Sequence, residues 1–574
     1  MKKTFKRLGA VLLAAFMLLS TTICALADEP PAGTSTTSKI TLNVSNVADG
    51  DTVSAHKLVS YNDDGNGYTF FDGDGAKKGF KTYIESQTDR DGKTAEQYLA
   101  SLDAAGVNKL LEGYATACKT GDTYTLPTAS AEVKATSSNT ASLELQAGYY
   151  LLLTTTTGKN SHIYTPLSAF VKVDGDNLVV YAGSAKTELP QQEGAYTVSA
   201  KYANGPTIDK KTNATKGSGE ATWKETAAAG VGDTVRFYVK VNIPKYTDGT
   251  TLNLTVNDTL TNLEYKLNSV KVYSAEPQLD ANGVTGDPAT IDGAIKNTDI
   301  AEQYTVDNST GTQKLKFELD YAAIMKNATA EKSVYVYYEA IVKPEAVKNG
   351  THEGTNVASL TYANASTPGS AHKTDDVTTK VFDYYLKLNK VKNNTEDALK
   401  GAKFSVYTDE TGGDAIPFVK ETDTNGTEYY RPAAKDETTN IVKVLEANFQ
   451  IRGLDANTYY LEEVETPKGY TKPKGRFRIV MTSNFENGKH TGKLDSDKTK
   501  SYMEAVNPDD KNLVYAGSGA DATLMHQFSA TIKNFSTPNL PTTGGTGTVL
   551  LSVGGVVLMA AGAYLLFFRK KKEN

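Results

Sequence analysis

The sequence predicts a mainly β protein, a tandem of β-sandwiches whose first member carries a helical insertion. Two stretches make the case. Residues 234–243 alternate Val235, Phe237, Val239, Val241 and Ile243 with Arg236, Tyr238, Lys240 and Asn242. Residues 333–343 alternate in the same way around Val334, Val336, Tyr338, Ala340 and Val342. A period of two marks a half-buried strand, and the frequent Asp, Asn and Gly punctuation between such runs marks sandwiches. The third observation is size: 574 residues, 39% hydrophobic and 22% charged, suit about three or four globular domains.

Taken in chain order, the first element is an export signal. Lys2, Lys3, Lys6 and Arg7 precede an apolar run over 8–19, and Ala25-Leu26-Ala27 supplies a small-residue cleavage site. The run is short for a membrane span, so cleavage between Ala27 and Asp28 is expected, which removes Cys24. Residues 28–38 are a flexible Pro/Ser/Thr/Gly leader. A first piece spans 39–204. Within it, Leu99, Leu102, Val107, Leu110, Leu111 and Tyr114 fall near helical spacing over 95–119, with Gly106 as the expected break. Cys118 extends that stripe, which makes it a core thiol rather than a nucleophile.

A joint at Asn204-Gly205-Pro206 opens a second piece, 205–382, and another near 378–383 opens a third, 383–537. Each is long enough to hold its own core. Residues 538–574 close the chain. They contain Leu540-Pro541-Thr542-Thr543-Gly544, then an uncharged run over 549–568 of a length that crosses a bilayer as a helix, then Arg569-Lys570-Lys571-Lys572 on the cytoplasmic side.

Charge and cysteine content narrow the function. The chain holds 61 basic and 67 acidic residues; without the two terminal segments, 53 and 66 remain, a net charge of −13. Such a surface repels a phosphate backbone, so no nucleic-acid partner is expected. One cysteine in the mature chain permits no disulfide framework, although the extracellular setting would allow it. His56, His162, His352, His372, His490 and His526 are dispersed, with neither HExxH nor GxSxG. Asp307-Asn308-Ser309 begins a metal-site motif that fails at Gly311. No enzyme, metal site or cofactor is expected.

The order of LPxTG, apolar span and basic tail resembles the cell-wall sorting signal of Gram-positive surface proteins. That resemblance implies cleavage by sortase between Thr543 and Gly544 and transfer of the Thr543 carbonyl to an amine. The third piece resembles a Cna-B-type domain, an immunoglobulin-like sandwich. Leu388-Asn389-Lys390-Val391, Gly401-Ala402-Lys403-Phe404-Ser405-Val406-Tyr407, the run from Tyr459 through Glu465 to Pro467-Lys468-Gly469-Tyr470, and Ala530-Thr531-Ile532-Lys533-Asn534 carry the likeness. It implies a spontaneous Lys–Asn isopeptide bond with Lys390 as nucleophile, Glu463 as catalytic acid (Glu462 and Glu465 are its neighbours) and Asn534 as acceptor. The chemistry is sound: a dry lysine becomes a neutral amine, and a buried protonated carboxyl can polarise the amide and shuttle protons as ammonia leaves.

The second piece resembles the Cna-A-like middle domains of pilins. Pro206-Thr207-Ile208-Asp209-Lys210, Val256-Asn257-Asp258-Thr259-Leu260 and the stretch 356–364 imply the trio Lys210, Asp258 and Asn356, with Lys211 and Asn364 as rivals. Either bond would close a loop of about 145 residues, worth roughly 5 kcal/mol by analogy with disulfides. In the first piece Lys39 and Asn204 would be the nearest pairing, with no acid to assign.

Finally, Lys201, in Ser199-Ala200-Lys201-Tyr202-Ala203-Asn204, occupies the place of the linkage lysine of sortase-assembled pilins, with Ser-Ala where Tyr-Pro is usual. Lys245, in Ile243-Pro244-Lys245-Tyr246, ranks second. The whole mature chain thus resembles a backbone fimbrial subunit. The resemblance implies pilus-class and housekeeping sortases, identical subunits and peptidoglycan as partners, with minor pilins and a host or glycan ligand beside them. The rival expectation is a monomeric wall-anchored adhesin or minor pilin binding through its first domain.

Overall fold

The computed structural model describes residues 38–537 and 546–570 apart from short internal stretches, the longest being 62–67, 215–221, 507–513 and 521–525. The export signal with Ala27 and Asp28, the leader up to 37, and the motif Leu540–Gly544 lie outside the described residues. By internal contacts the chain divides into two compact units. One runs to Ala346 and includes Glu353–Phe382; the other comprises Val347–His352 and Asp383 onward.

The first unit holds two pairs of sheets. In the N-terminal pair, a four-stranded sheet has Ile40–Ser45 parallel to Ala195–Ser199 and antiparallel to Thr140–Leu145. A larger sheet is built around Thr52–Tyr61, Gly148–Thr155 and Leu167–Asp174. Between the sheets lie Leu42, Val44, Val53, Ala55, Tyr150 and Leu152. The opposite face of the larger sheet is covered as well: Leu58, Tyr149, Leu151 and Leu153 pack with Phe80, Leu99, Leu111, Tyr114 and Cys118. Gly148–Thr155 is therefore buried on both faces, which is why it reads as an unbroken apolar run instead of alternating.

The helical insertion is real but starts earlier, with Phe80–Glu85, and breaks elsewhere than expected. Ala95–Ser101 is opened by a capping box of Thr94 and Gln97 and ends at Leu102, whose backbone is extended; Ala104–Ala117 follows. Gly106 sits in the first turn of the last helix, where the N–H groups have no helical partner to lose, so its low propensity does little damage there. Cys118 is a buried thiol, its pKa pushed up by burial.

The second pair of sheets comprises Thr207–Ala214, Thr234–Ile243, Lys332–Val342 and Leu263–Tyr273 on one side. Opposite stand Val377–Phe382, Glu353–Asn364, Leu252–Thr261 and Thr312–Asp320. The joint to the first pair is not a loose linker. A Cβ on Gly205 would come within 2.2 Å of the Tyr362 hydroxyl, so a side chain there would displace that buried ring, which stacks on His372. Across the same seam Asn364 Nδ2 donates to the Tyr164 carbonyl at 3.1 Å, and Tyr246 Oη donates to the Asn204 carbonyl at 2.9 Å. These ties explain why two sequence pieces form one contact unit.

The second unit is again two sheets. One places Tyr384–Lys392 parallel to Gln527–Asn534 and antiparallel to Gln450–Leu454. The other pairs Thr458–Glu465 with Lys403–Tyr407 and Phe477–Val480. Beyond it, Thr546–Lys570 forms a helix, with side chains described over 553–567. Among the described residues no helix is long and apolar enough to cross a membrane; of the expected span 549–568, side chains are described only over 553–567.

One buried acid at the seam of the first unit has a testable consequence. Glu112 is 1% exposed and accepts a 3.1 Å hydrogen bond from the Thr250 hydroxyl. Burial pushes its pKa up to about 7, against a partial opposing pull from that hydroxyl. Between an unfolded pKa near 4.5 and the folded value, the native state holds a proton that the unfolded chain has released. Stability therefore falls as pH rises through that window, by about 3 kcal/mol in all, and is flat above it. Glu112→Gln is expected to raise the thermal midpoint at pH 8 while leaving it nearly unchanged at pH 4.5, as read by calorimetry at the two pH values.

Candidate functional site: two buried lysine–asparagine pairs

In an alternating strand, a polar residue at a core-facing position stands in an apolar column and must find partners inside the protein. Among the described residues only two lysines are buried, Lys210 and Lys390, and each lies in such a column.

Lys390 follows Leu386 and Leu388 on the inward face of Tyr384–Lys392. The parallel neighbour brings Phe528, Ala530, Ile532 and Asn534 to the same core. Lys390 stands level with Ile532, so Asn534, two residues on, shares its face one step along. Lys390 Nζ donates to Asn534 Oδ1. The acid comes from the facing sheet. Glu463, paired with Phe404 and 1% exposed, accepts from Asn534 Nδ2 at 2.7 Å through Oε1, and its Oε2 lies 3.0 Å from Lys390 Nζ. The Phe404 ring lies 5.8 Å from the amine. Burial lowers the Lys390 pKa to about 8, with Glu463 pulling the other way. The neighbouring acids point elsewhere: Glu462 pairs with Arg476, and Glu465 with Lys403 at the surface.

The other cluster uses the sheets differently. Lys210 is on one sheet, while Asp258 and Asn356 share the opposite one, where Asp258 stands level with Ala358 and Leu260 with Asn356. Asp258 continues the inward series Leu252, Leu254 and Val256. Lys210 Nζ lies 2.5 Å from Asp258 Oδ2 and 2.5 Å from the Tyr338 hydroxyl, and burial lowers its pKa. Asn356 Nδ2 donates to the same hydroxyl at 2.9 Å. The rivals are set apart. Lys211 faces Asp209 and Glu225, and Asn364 is engaged with Tyr164 and Ser366 at the seam.

Sequence reasoning missed Tyr338 and Tyr265, whose hydroxyls both bond to Asp258, at 2.6 and 2.5 Å. The signal was present: a tyrosine in an otherwise aliphatic column needs a partner for its hydroxyl. It does not say which partner, because that partner is on the other sheet.

The remaining expectations sort by burial. Lys39 and Asn204 are both exposed, so the pairing in the first piece lacks the dry setting the chemistry needs. Lys201 and Lys245 are exposed too. The Lys201 carbonyl accepts from Thr165 N at 2.9 Å, and next to it Tyr202 stacks on His162 at 3.6 Å between ring centroids. Thr543 and Gly544 are outside the described residues.

Residues 385–494 match the family SpaA, a prealbumin-like fold domain, and residues 536–574 match the LPXTG cell wall anchor motif. No curated protein matches the chain. Among solved structures it is similar to the T6 backbone pilin of serotype M6 Streptococcus pyogenes, at 15% identity over 88% of this chain and 100% of that one, with a TM-score of 0.45. The full-length RrgB pilus protein of Streptococcus pneumoniae gives 13% identity, coverage of 89% and 100%, and a TM-score of 0.42. The full-length major pilin SpaD of Corynebacterium diphtheriae gives 14%, 88% and 100%, and 0.37. The chain thus carries a prealbumin-like SpaA domain and a cell-wall anchor motif, and it is similar to Gram-positive backbone pilins.

Removing the Glu463 carboxyl leaves the Lys390 amine buried without its partner, at about 3–5 kcal/mol. Glu463→Ala is expected to lower the unfolding free energy of the mature chain by about that amount, whereas Glu465→Ala, at the surface, changes it little. Denaturant titration of both variants reads the difference.

Proposed function

We propose that the protein is the major structural subunit of a covalent, sortase-polymerised pilus, stiffened by two internal Lys–Asn isopeptide bonds and supporting adhesion. The observation that carries this reading is the coincidence of two dry Lys–acid–Asn clusters with a C-terminal anchor motif in a chain whose expected mature part has a single cysteine. Three domains, 39–204, 205–382 and 383–537, follow the signal peptide 1–27 and leader 28–38, and precede the sorting signal 538–574.

In each cluster the amine and carboxyl exchange a proton so that both are neutral, the state favoured where water is excluded. The amine of Lys390 or Lys210 attacks the side-chain carbonyl carbon of Asn534 or Asn356, and the acid, Glu463 or Asp258, moves the proton needed for ammonia to leave. This is single-turnover chemistry on the chain itself and makes no enzyme of it.

After export, residues 549–568 hold the subunit in the membrane until sortase cleaves between Thr543 and Gly544. The Lys201 amine of another copy accepts the Thr543 carbonyl, and repetition builds a head-to-tail fibre that is finally joined to peptidoglycan. Both amines are exposed; the place of Lys201 just before the joint at Asn204-Gly205-Pro206 and the fixing of its backbone by Thr165 support it as acceptor, with Lys245 second. Minor pilins and a host or glycan ligand complete the partners.

Two measurements test the reading. The intact mass of residues 28–537 is expected to fall about 34 Da below the sequence mass, one ammonia per bond; an unchanged mass removes the cross-links. Denaturing immunoblots of muramidase-released wall extract are expected to show a high-mass ladder that Lys201→Ala abolishes and Lys245→Ala retains. A single monomer-sized band in the parent strain would leave a wall-anchored adhesin instead.

A further inference from the structure

The two clusters contain the same three functional groups, yet their acids reach the acceptor differently. Glu463 touches both reacting nitrogens, Lys390 Nζ at 3.0 Å and Asn534 Nδ2 at 2.7 Å. One carboxyl can therefore take a proton from the attacking amine and give one to the departing nitrogen. Asp258 has no such reach: among the described residues no hydrogen bond joins it to Asn356. Its Oδ2 contacts Lys210 Nζ and the Tyr338 hydroxyl, and its Oδ1 accepts from Tyr265. The gap between acid and leaving nitrogen is filled by one atom, Tyr338 Oη, which lies 2.5 Å from Lys210 Nζ, 2.6 Å from Asp258 Oδ2 and 2.9 Å from Asn356 Nδ2.

We propose that Tyr338 is a catalytic residue of this site, the relay that hands to Asn356 Nδ2 the proton that Glu463 delivers directly in the other cluster. The proposal rests on reading the Lys210 cluster as a self-cross-linking site. The step starts with a neutral Lys210 amine and a protonated Asp258. Nζ attacks Cγ of Asn356, the new N–C bond forms, and the carbonyl π pair moves onto Oδ1. Attack makes Nδ2 pyramidal and able to accept, and the Tyr338 hydroxyl turns from Asp258 Oδ2 toward it; Nζ gives one proton to Asp258, Asp258 gives its own to Tyr338 Oη, and the Tyr338 hydroxyl proton passes to Nδ2. The pair on Oδ1 then re-forms the carbonyl, the Cγ–Nδ2 bond breaks, and ammonia departs. One amide replaces another, Tyr338 and Asp258 are restored, and no redox partner is required.

The surroundings suit a relay. The Tyr338 ring lies 5.7 Å from the Phe237 and Phe317 rings and 5.7 Å from that of Tyr265, so its hydroxyl is held at one place. Burial drives its phenol pKa well up, which keeps the oxygen protonated and able to donate. Tyr265 provides the internal control. Its hydroxyl is equally a donor to Asp258, at 2.5 Å, but it bonds to Oδ1, whereas the amine bonds to Oδ2, and among the described residues no hydrogen bond joins Tyr265 to Asn356.

The test follows the mature chain made by cell-free translation, sampled over time and digested, with the Lys210–Asn356 and Lys390–Asn534 cross-linked peptides quantified separately by mass spectrometry. Tyr338→Phe is expected to slow the Lys210–Asn356 bond by about 10²-fold or more, the usual worth of a positioned acid–base group, and to leave the Lys390–Asn534 bond at the parent rate. Tyr265→Phe is expected to stay within a few-fold of the parent. Equal slowing by both variants, or a parent-like rate in Tyr338→Phe, overturns the relay. Absence of the Lys210–Asn356 peptide from the parent overturns the underlying reading of the cluster instead. If Tyr338→Phe fails to fold, site-specific Tyr338→3-fluorotyrosine keeps the shape and the bonds but makes the hydroxyl more acidic. A relay then shows an altered rate and pH profile for the Lys210–Asn356 bond alone; an unchanged profile overturns it.

Discussion

A lysine amine enclosed in an apolar sandwich is the constraint around which this structure is arranged. An isolated ammonium in such a place would be prohibitive, so the fold must supply a carboxyl and must dry both groups. It does so twice by different routes. Lys390 and Asn534 share a sheet and the acid crosses the core to meet them, whereas Asp258 and Asn356 share a sheet and Lys210 crosses. What is common is the inventory of groups and the exclusion of water. What differs is which strand pairing fixes which pair, and hence how a proton can travel.

Much of this was legible in the sequence because strand alternation is a local code. Lys390 after Leu386 and Leu388, Asp258 after Leu254 and Val256, and Asn534 after Ala530 and Ile532 are polar residues in apolar columns, and a period of two places them inward without any knowledge of the partner strand. The same code separates Lys210 from Lys211 once the facing strand is known. The helical insertion was legible from its own period, down to the burial of Cys118.

The rest depends on relations between strands distant in the chain, which no local pattern carries. Tyr338 reads as one more core aromatic until Lys210, Asp258 and Asn356 arrive from three other strands. Gly106 looks like a break because propensity treats all helix positions alike, while the first turn forgives glycine. The seam that unites the first two sequence pieces is made by Gly205, Tyr362, Asn364 and Tyr164, residues whose separate contexts give no sign that they meet.

The parallel neighbours Ile40–Ser45 with Ala195–Ser199, and Tyr384–Lys392 with Gln527–Asn534, decide how tension enters these folds. In both pairs the strand nearer the N-terminus lies beside the strand nearer the C-terminus, running the same way. Opposed pulls on the outer ends then slide the two strands along each other, and the backbone hydrogen bonds of the ladder are loaded together in shear; a hairpin pulled at its ends would unzip them one at a time. In the later pair Lys390 and Asn534 sit across that sliding plane. In the earlier pair no buried lysine stands among the described residues, and the ladder of hydrogen bonds resists alone. With an amide closed between Lys390 and Asn534, as proposed above, the N-terminal sandwich is expected to yield at a lower load than the C-terminal one.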